Sequence, residues 1–313
     1  MIELVIENSS GVYNITELVN TVSFADKLND GCSKLEFSHT RNDLIITNGS
    51  FVSFTYDSLH FYGVVFKVGR NARGEISVVA YDQLRYAKAK DTIISKGETI
   101  TSHVKKMCSY LGLVPDDKLL DTKYVLATEP KDNKTWLDII YEDIRDTLTA
   151  TGRYYMVRDE YRKVCIRNLE EMRLDLVLGD ESLVYDYSYE KSIDDETYNV
   201  VKLVRDDKEA GQSFTFVSED KASVTKYGLL QYFEVVDKKL NNSQVKAMAD
   251  ILLNIHNMEY ETLTLNCLGR SEVRAGCGIF ANIPDLGMQK WLVVKSVTHE
   301  FLPVHTMSVE VML

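Results

Sequence analysis

Hydrophobic and polar side chains alternate in short runs at residues 4–7, 21–28, 34–38, 51–56, 60–68 and 75–81. A period of two puts one face of each run into a core and the other into water, as a half-buried strand requires. Asn29-Asp30-Gly31, Asn48-Gly49 and the stretch from Gly69 to Gly74 separate the runs, supplying the backbone conformations that tight turns need. Strands at this spacing of roughly 8–12 residues point to an antiparallel barrel or sandwich.

The period then changes. Gly97-Glu98-Thr99 opens a helical pattern through Ile100, Val104, Met107, Cys108 and Leu111, stopped at Gly112. A second helix over 134–151 places Trp136, Ile140, Ile144 and Leu148 on one face before Gly152. Runs at 154–158 and 163–167 flank Asp159-Glu160 as a hairpin would. Strand patterns return at 183–189, 198–205 and 213–217, the last two parted by a charged turn segment at 206–211. One more helix is expected from a cap at Asn242 or Ser243 through Val245, Met248, Ala249, Leu252 and Leu253 to about Asn257. Strands resume at 261–268, 279–283, 291–301 and 305–312. The expected fold is α+β and mainly β: two antiparallel β-barrel-like domains, 1–92 and 183–313, flank an inserted α+β domain at 93–182, and the second carries the helix at about 242–257.

Composition narrows the class. With 313 residues, 45% of them hydrophobic, the chain can build two or three cores. Its 27% charged residues and four prolines leave no stretch with the profile of a disordered tail. No run reaches the ~18 apolar residues of a membrane span, and the alternating start lacks the basic and apolar blocks of a signal peptide. A protein made in the cytoplasm and kept off membranes is expected. The formal net charge of -11 argues against specific nucleic-acid binding, which draws its affinity from Lys and Arg displacing counterions. Cys32, Cys108, Cys165, Cys267 and Cys277 are odd in number and unpaired in spacing, so reduced and mostly buried thiols are expected.

Candidate chemistry is sparse. No nucleophile elbow, Walker loop, dinucleotide fingerprint or HExxH motif occurs. Asp194-Asp195-Glu196 with Glu190 contains enough carboxylates for a glycosidase pair, but consecutive charges on a solvated turn need no partner and account for it more simply. His299 and His305 flank the last hairpin connection, within reach of a shared metal; two further ligands would be required and none is spaced for it, so hydrogen bonds at the hairpin are the simpler expectation. Trp136, Trp291 and the tyrosines offer stacking surfaces for a sugar, and Tyr185, Tyr187 and Tyr189 would share one strand face as a protein contact surface. Residues 95–100 faintly resemble the opening of a LysM wall-binding module, without the rest of it.

Longer stretches carry a stronger likeness. Tyr81-Asp82-Gln83-Leu84-Arg85-Tyr86 with Lys88, Lys90, Asp91 and Thr92, the helix over 97–113, and Trp136-Leu137-Asp138-Ile139-Ile140 resemble the XkdQ-like baseplate proteins of PBSX-type defective prophages. So do Tyr227-Gly228-Leu229-Leu230-Gln231, Val273-Arg274-Ala275-Gly276, and the ending from Val297-Thr298-His299-Glu300-Phe301 through His305-Thr306-Met307. The likeness runs in order over nearly the whole chain. It implies a structural baseplate hub: a homotrimer whose two tube-like β domains per chain give six units in a ring, joining the sixfold tail tube to the threefold central spike. Implied partners are the tail tube protein, the central spike protein and baseplate wedge proteins, in a phage, a defective prophage or a bacteriocin. No enzyme activity and no cofactor or metal is implied. Candidate assembly contacts are Tyr81, Asp82, Gln83, Leu84, Arg85, Tyr86, Tyr185, Tyr187, Tyr189, His299 and His305. The alternatives are a tail-associated cell-wall hydrolase or wall-binding protein, and a free carbohydrate-binding protein.

Overall fold

A computed structural model describes residues 2–40, 44–179, 182–194, 196–207, 212–236 and 240–313. Asp195 and most of the 206–211 turn segment lie outside the described residues. The chain forms two compact units, one of Met1–Ser188 with Thr264–Leu313 and one of Tyr189–Leu263.

The first unit starts with seven strands: β1 (Ile2–Asn8), β2 (Gly11–Asn14), β3 (Val19–Lys27), β4 (Lys34–His39), β5 (Phe51–Tyr56), β6 (Leu59–Arg70) and β7 (Ile76–Tyr81). Alternation decides which face goes inside: Leu4 and Ile6, Val22 and Phe24, Leu35 and Phe37, and Val52 and Phe54 all turn into one core, with Phe301 from the far end of the chain. A short 3-10 turn, Gln83–Lys88, leads to β8 (Lys90–Ser95), α1 (Ile100–Leu111), β9 (Glu129–Thr135), α2 (Trp136–Thr151), β10 (Tyr155–Asp159) and β11 (Val164–Asn168). Thr99 caps α1 and Thr135 caps α2, the latter in a capping box with Asp138. Both helices end on glycines in the left-handed conformation, Gly112 at φ 67 and Gly152 at φ 72, a backbone state that residues with a side chain rarely adopt. The second helix therefore starts at Trp136 instead of residue 134, because the preceding residues pair as β9 with β8. The core of this region joins Ile100, Val104 and Met107 of α1 to Trp136, Ile140 and Ile144 of α2.

β12 (Arg173–Gly179) and β13 (Val184–Ser192) follow. The second unit holds β14 (Val200–Asp207), β15 (Gln212–Glu219), α3 (Lys221–Tyr227), β16 (Gln231–Val236) and α4 (Asn242–His256). β14 pairs antiparallel with β15 and parallel with β16, and α4 covers one face through Val245 and Ala249 against Val201, Leu203 and Val236. The cap of α4 is Asn241, in a capping box with Gln244, one residue before the expected position. β17 (Tyr260–Leu268), β18 (Gly278–Ile283), β19 (Met288–Glu300) and β20 (Thr306–Met312) complete the chain.

β19 is the splice of the first unit. Its first half pairs with β18 up to Val293, its second half with β3 from Ser296, and a register shift between Val294 and Ser296 marks the changeover. A bulge there bends the strand and re-aims it. As a result the sheet runs in one path, β13-β17-β20-β19-β3-β4-β7-β6-β5-β1-β2, with β18 and β12 branching beside β19. The mainly-β expectation holds, but no closed barrel is present among the described strands: the path is open, because β19 is long enough to accept β18 and β3 one after the other along the same edge. No described helix is long and apolar enough to cross a membrane. Four of the cysteines are buried and Cys32 half-buried, all as free thiols.

Candidate assembly interface

The stretch at Tyr81–Tyr86 and the stretch at Val273–Gly276 meet inside the first unit. Asp82 closes β7 and caps the 3-10 turn: one carboxylate oxygen accepts from the Leu84 amide at 2.8 Å and the other from the Ser33 amide at 2.7 Å. Gln83 bridges two segments, its amide donating to Asp159 at 2.5 Å and its carbonyl accepting from the Val114 amide at 3.0 Å. Arg274 reaches in from the C-terminal region, donating from Nε to Asp26 at 2.7 Å, from Nη2 to the Ser33 hydroxyl at 3.1 Å and from Nη1 to the Asp159 carbonyl at 3.2 Å. Its guanidinium lies 5.4 Å from the Phe24 ring centroid. Gly276, at φ +83, lets this segment turn where a Cβ would meet the Met156 sulfur at 2.8 Å.

Arg274 is thus the cation for three buried carboxylates, Asp26, Asp82 and Asp159, of which only Asp26 accepts a hydrogen bond from it. Burial, with the charge of Asp159 added, pushes Asp82 up to about 8. Asp159 is pushed up to about 6, again chiefly by burial. Desolvation favours the neutral acid, and the single Arg274 charge does not cancel three carboxylates. Next to them, burial acts to raise Glu160, but Arg167 and Arg158 outweigh it and hold its carboxyl at about 2.

The remaining expected contact residues are placed as follows. Tyr81 is half-buried and Leu84 is in the core. Arg85 lies over the Phe66 ring at 5.2 Å, and Tyr86 is exposed. Tyr185, Tyr187 and Tyr189 share a face of β13 by strand alternation; β13 ends the sheet path. Tyr185 is exposed, the Tyr187 hydroxyl donates to Asp285 at 3.4 Å, and Lys191 lies 5.7 Å from the Tyr189 ring. His299 and His305 do meet, Nδ1 to Nε2 at 3.0 Å, while His299 Nε2 donates to the Val273 carbonyl at 2.8 Å. Both His299 nitrogens are committed to this relay, and burial pushes His299 down to about 4. Glu190, Asp194 and Glu196 are exposed.

Sequence reasoning missed a buried dyad. His103 of α1 and Asp143 of α2 are both fully buried and joined at 2.5 Å through Nδ1, and Nε2 faces Glu98 at 3.1 Å. Lys131 of β9 lies 3.6 Å from Asp143. Lone polar residues on the apolar faces of the two helices were the readable signal: His103 sits beside Ile100, Val104 and Met107, and Asp143 between Ile140 and Ile144. With both ring nitrogens engaged by carboxylates, the imidazole has no free nitrogen to act as a base on a substrate. The arrangement ties two helices and a strand together.

A family model described as YQBQ-like matches residues 22–312. The phage-like element PBSX protein XkdQ of Bacillus subtilis is 27% identical over 271 residues, 85% of this chain and 82% of that protein. Among solved structures, the 43 kDa tail protein of prophage MuSo2 from Shewanella oneidensis superposes with a TM-score of 0.69 at 10% identity, over 99% of this chain and 98% of that one. The E. coli c3393 protein, a type VI secretion component with structural similarity to the T4 tail proteins gp27 and gp5, gives a TM-score of 0.56 at 11% identity, over 94% and 73% of the two chains.

Proposed function

The chain belongs to the YQBQ-like family, and from that premise we propose that it is a structural protein of a tail baseplate, the hub that joins the tail tube to the central spike. The observation that carries this reading is the correspondence of fold with the MuSo2 tail protein along 99% of this chain. Kinship with a PBSX protein supports the same setting, and the likeness to the c3393 protein, itself similar to the T4 tail proteins gp27 and gp5, supports a structural tail role. In this reading the protein works as a homotrimer without catalysis or cofactor. The strands of 1–92 and of 183–313 supply two ring-forming units per chain, 93–182 is the insertion between them, and tube, spike and wedge proteins are the neighbours. The protein is made in the bacterial cytoplasm and built into the particle.

The assignment is tested in a host that carries the tail gene cluster. Deleting this gene leaves tubes and sheaths without a spike-bearing baseplate in electron micrographs, and complementation restores it. Particles with complete baseplates in the deletion strain, or clearing of purified cell wall by the isolated protein in a zymogram, would overturn the assignment.

A further inference from the structure

The β10–β11 hairpin turns through Tyr161 and Arg162, with the Glu160 amide bonded to the Lys163 carbonyl at 2.8 Å. Both central residues have positive φ, 49 for Tyr161 and 72 for Arg162. A two-residue turn of this hand normally carries Asn-Gly, because side chains resist that backbone. Folding accounts for Tyr161: its hydroxyl meets Ser53 at 3.2 Å and its ring packs edge-on against His60 and Tyr62, docking the turn on the outer face of β5 and β6. At Arg162 folding uses the backbone, whose amide donates to the Asp159 carboxylate at 3.1 Å, and leaves the charge of the side chain unpaired among the described residues. Its guanidinium lies 4.3 Å from the Tyr62 ring centroid, it is exposed, and among the described residues it has no carboxylate partner.

Beside that guanidinium opens a cavity of about 280 Å³. Its walls include Phe51, Tyr86 and Val114, exposed by 42, 45 and 49%, with Leu111 and Leu113 below. Gln83, in the lining, has both ends of its amide bonded within the protein, so that group makes no demand on an occupant. The space suits one large side chain, being smaller than the ~300–1,000 Å³ of a typical small-molecule site. Aromatic walls around a pocket with an arginine at the rim have the composition of an interface hot spot.

We propose that this pocket docks a segment of a partner protein that presents one aromatic or aliphatic side chain beside a carboxylate, the side chain entering between Tyr86 and Val114 and the carboxylate pairing with Arg162. The charge on the partner follows from the unpaired guanidinium, and the anchor follows from the apolar walls.

The full chain is titrated with indole-3-propionate and with its uncharged amide, following the methyl resonances of Val64, Leu111 and Val114. Both compounds should shift these methyls with affinities of about 1 mM, the carboxylate binding about twofold to fivefold more tightly than the amide. Arg162→Gln should abolish that preference while leaving amide binding intact, and Tyr86→Ala should weaken both. No shift at these methyls up to about 10 mM, equal binding of acid and amide, or a preference that survives Arg162→Gln would each overturn the proposal. The titration involves no baseplate protein, so its outcome is independent of the hub assignment.

Discussion

The two units differ in what they bury. The first buries charge: Asp26, Asp82, Asp159 and Arg274 sit in its interior, stitched to backbone amides and to one another between strands from both ends of the chain. The second exposes apolar surface. On the face of its sheet away from α4, Lys202 is flanked by Val217 and Phe233, and Val204 by Val235; Val217, Phe233 and Val235 are all more than half exposed. The first unit has two large cores, whereas the described core of the second is five buried residues between one helix and the sheet. A unit that packs one face only has fewer buried contacts to lose on opening, so the second unit is the less stable of the two.

The largest expected effect comes from breaking the polar seam. Arg274→Ala leaves Asp26 buried without its cation and should destabilise the first unit by about 3–5 kcal/mol, with the second unit's transition unmoved; calorimetry separates the two. Loss of both transitions together would mean that the units are not independent. Leu203→Ala, in the small core under α4, should cost the second unit about 2–5 kcal/mol and raise hydrogen exchange in β14 while β3 and β19 stay protected.

The pH response should distinguish the units next. Asp82 and Asp159 hold their protons more tightly folded than unfolded, so their contribution is present in acid and is lost as pH rises through about 6 for Asp159 and about 8 for Asp82. His299 acts in the opposite sense: its contribution is present above its ordinary value of 6.5 and is lost as pH falls towards about 4. His299 opposes the two carboxyl groups below pH 6.5, and between 6.5 and 8, where Asp82 acts unopposed, the melting temperature of the first unit should fall. A flat or rising profile in that window would contradict the buried carboxylate account. The smallest effect is expected at the open face, where Phe233→Thr with Val235→Thr should change the stability of the isolated chain by no more than about 0.5 kcal/mol, checked by urea titration.

Much of this was legible in the sequence wherever one face of an element meets water. β3 to β7 announce themselves by alternation between Asn and Gly turns, and α1 and α2 by period and cap. β9 was not legible, because Glu129–Thr135 has no apolar alternation and is a strand only through its ladder with β8. The splice at β19 was hidden for another reason: residues 23–27 pair with 296–300, and no local pattern encodes a partner that far away. At the site, resemblance singled out Asp82, Gln83 and Arg274 without indicating that they converge within one chain. The approach of His299 to His305 was readable because they lie only six positions apart, across one hairpin. His103 and Asp143 were readable as polar intrusions on apolar helix faces, but each alone looks like an ordinary exception.

The central claim is that this chain is the hub between tube and spike, and the native mass of the chain co-expressed with the spike protein of its own tail gene cluster tests it most directly. The account predicts a 3:3 complex. A chain that stays monomeric and leaves the spike unbound would contradict it.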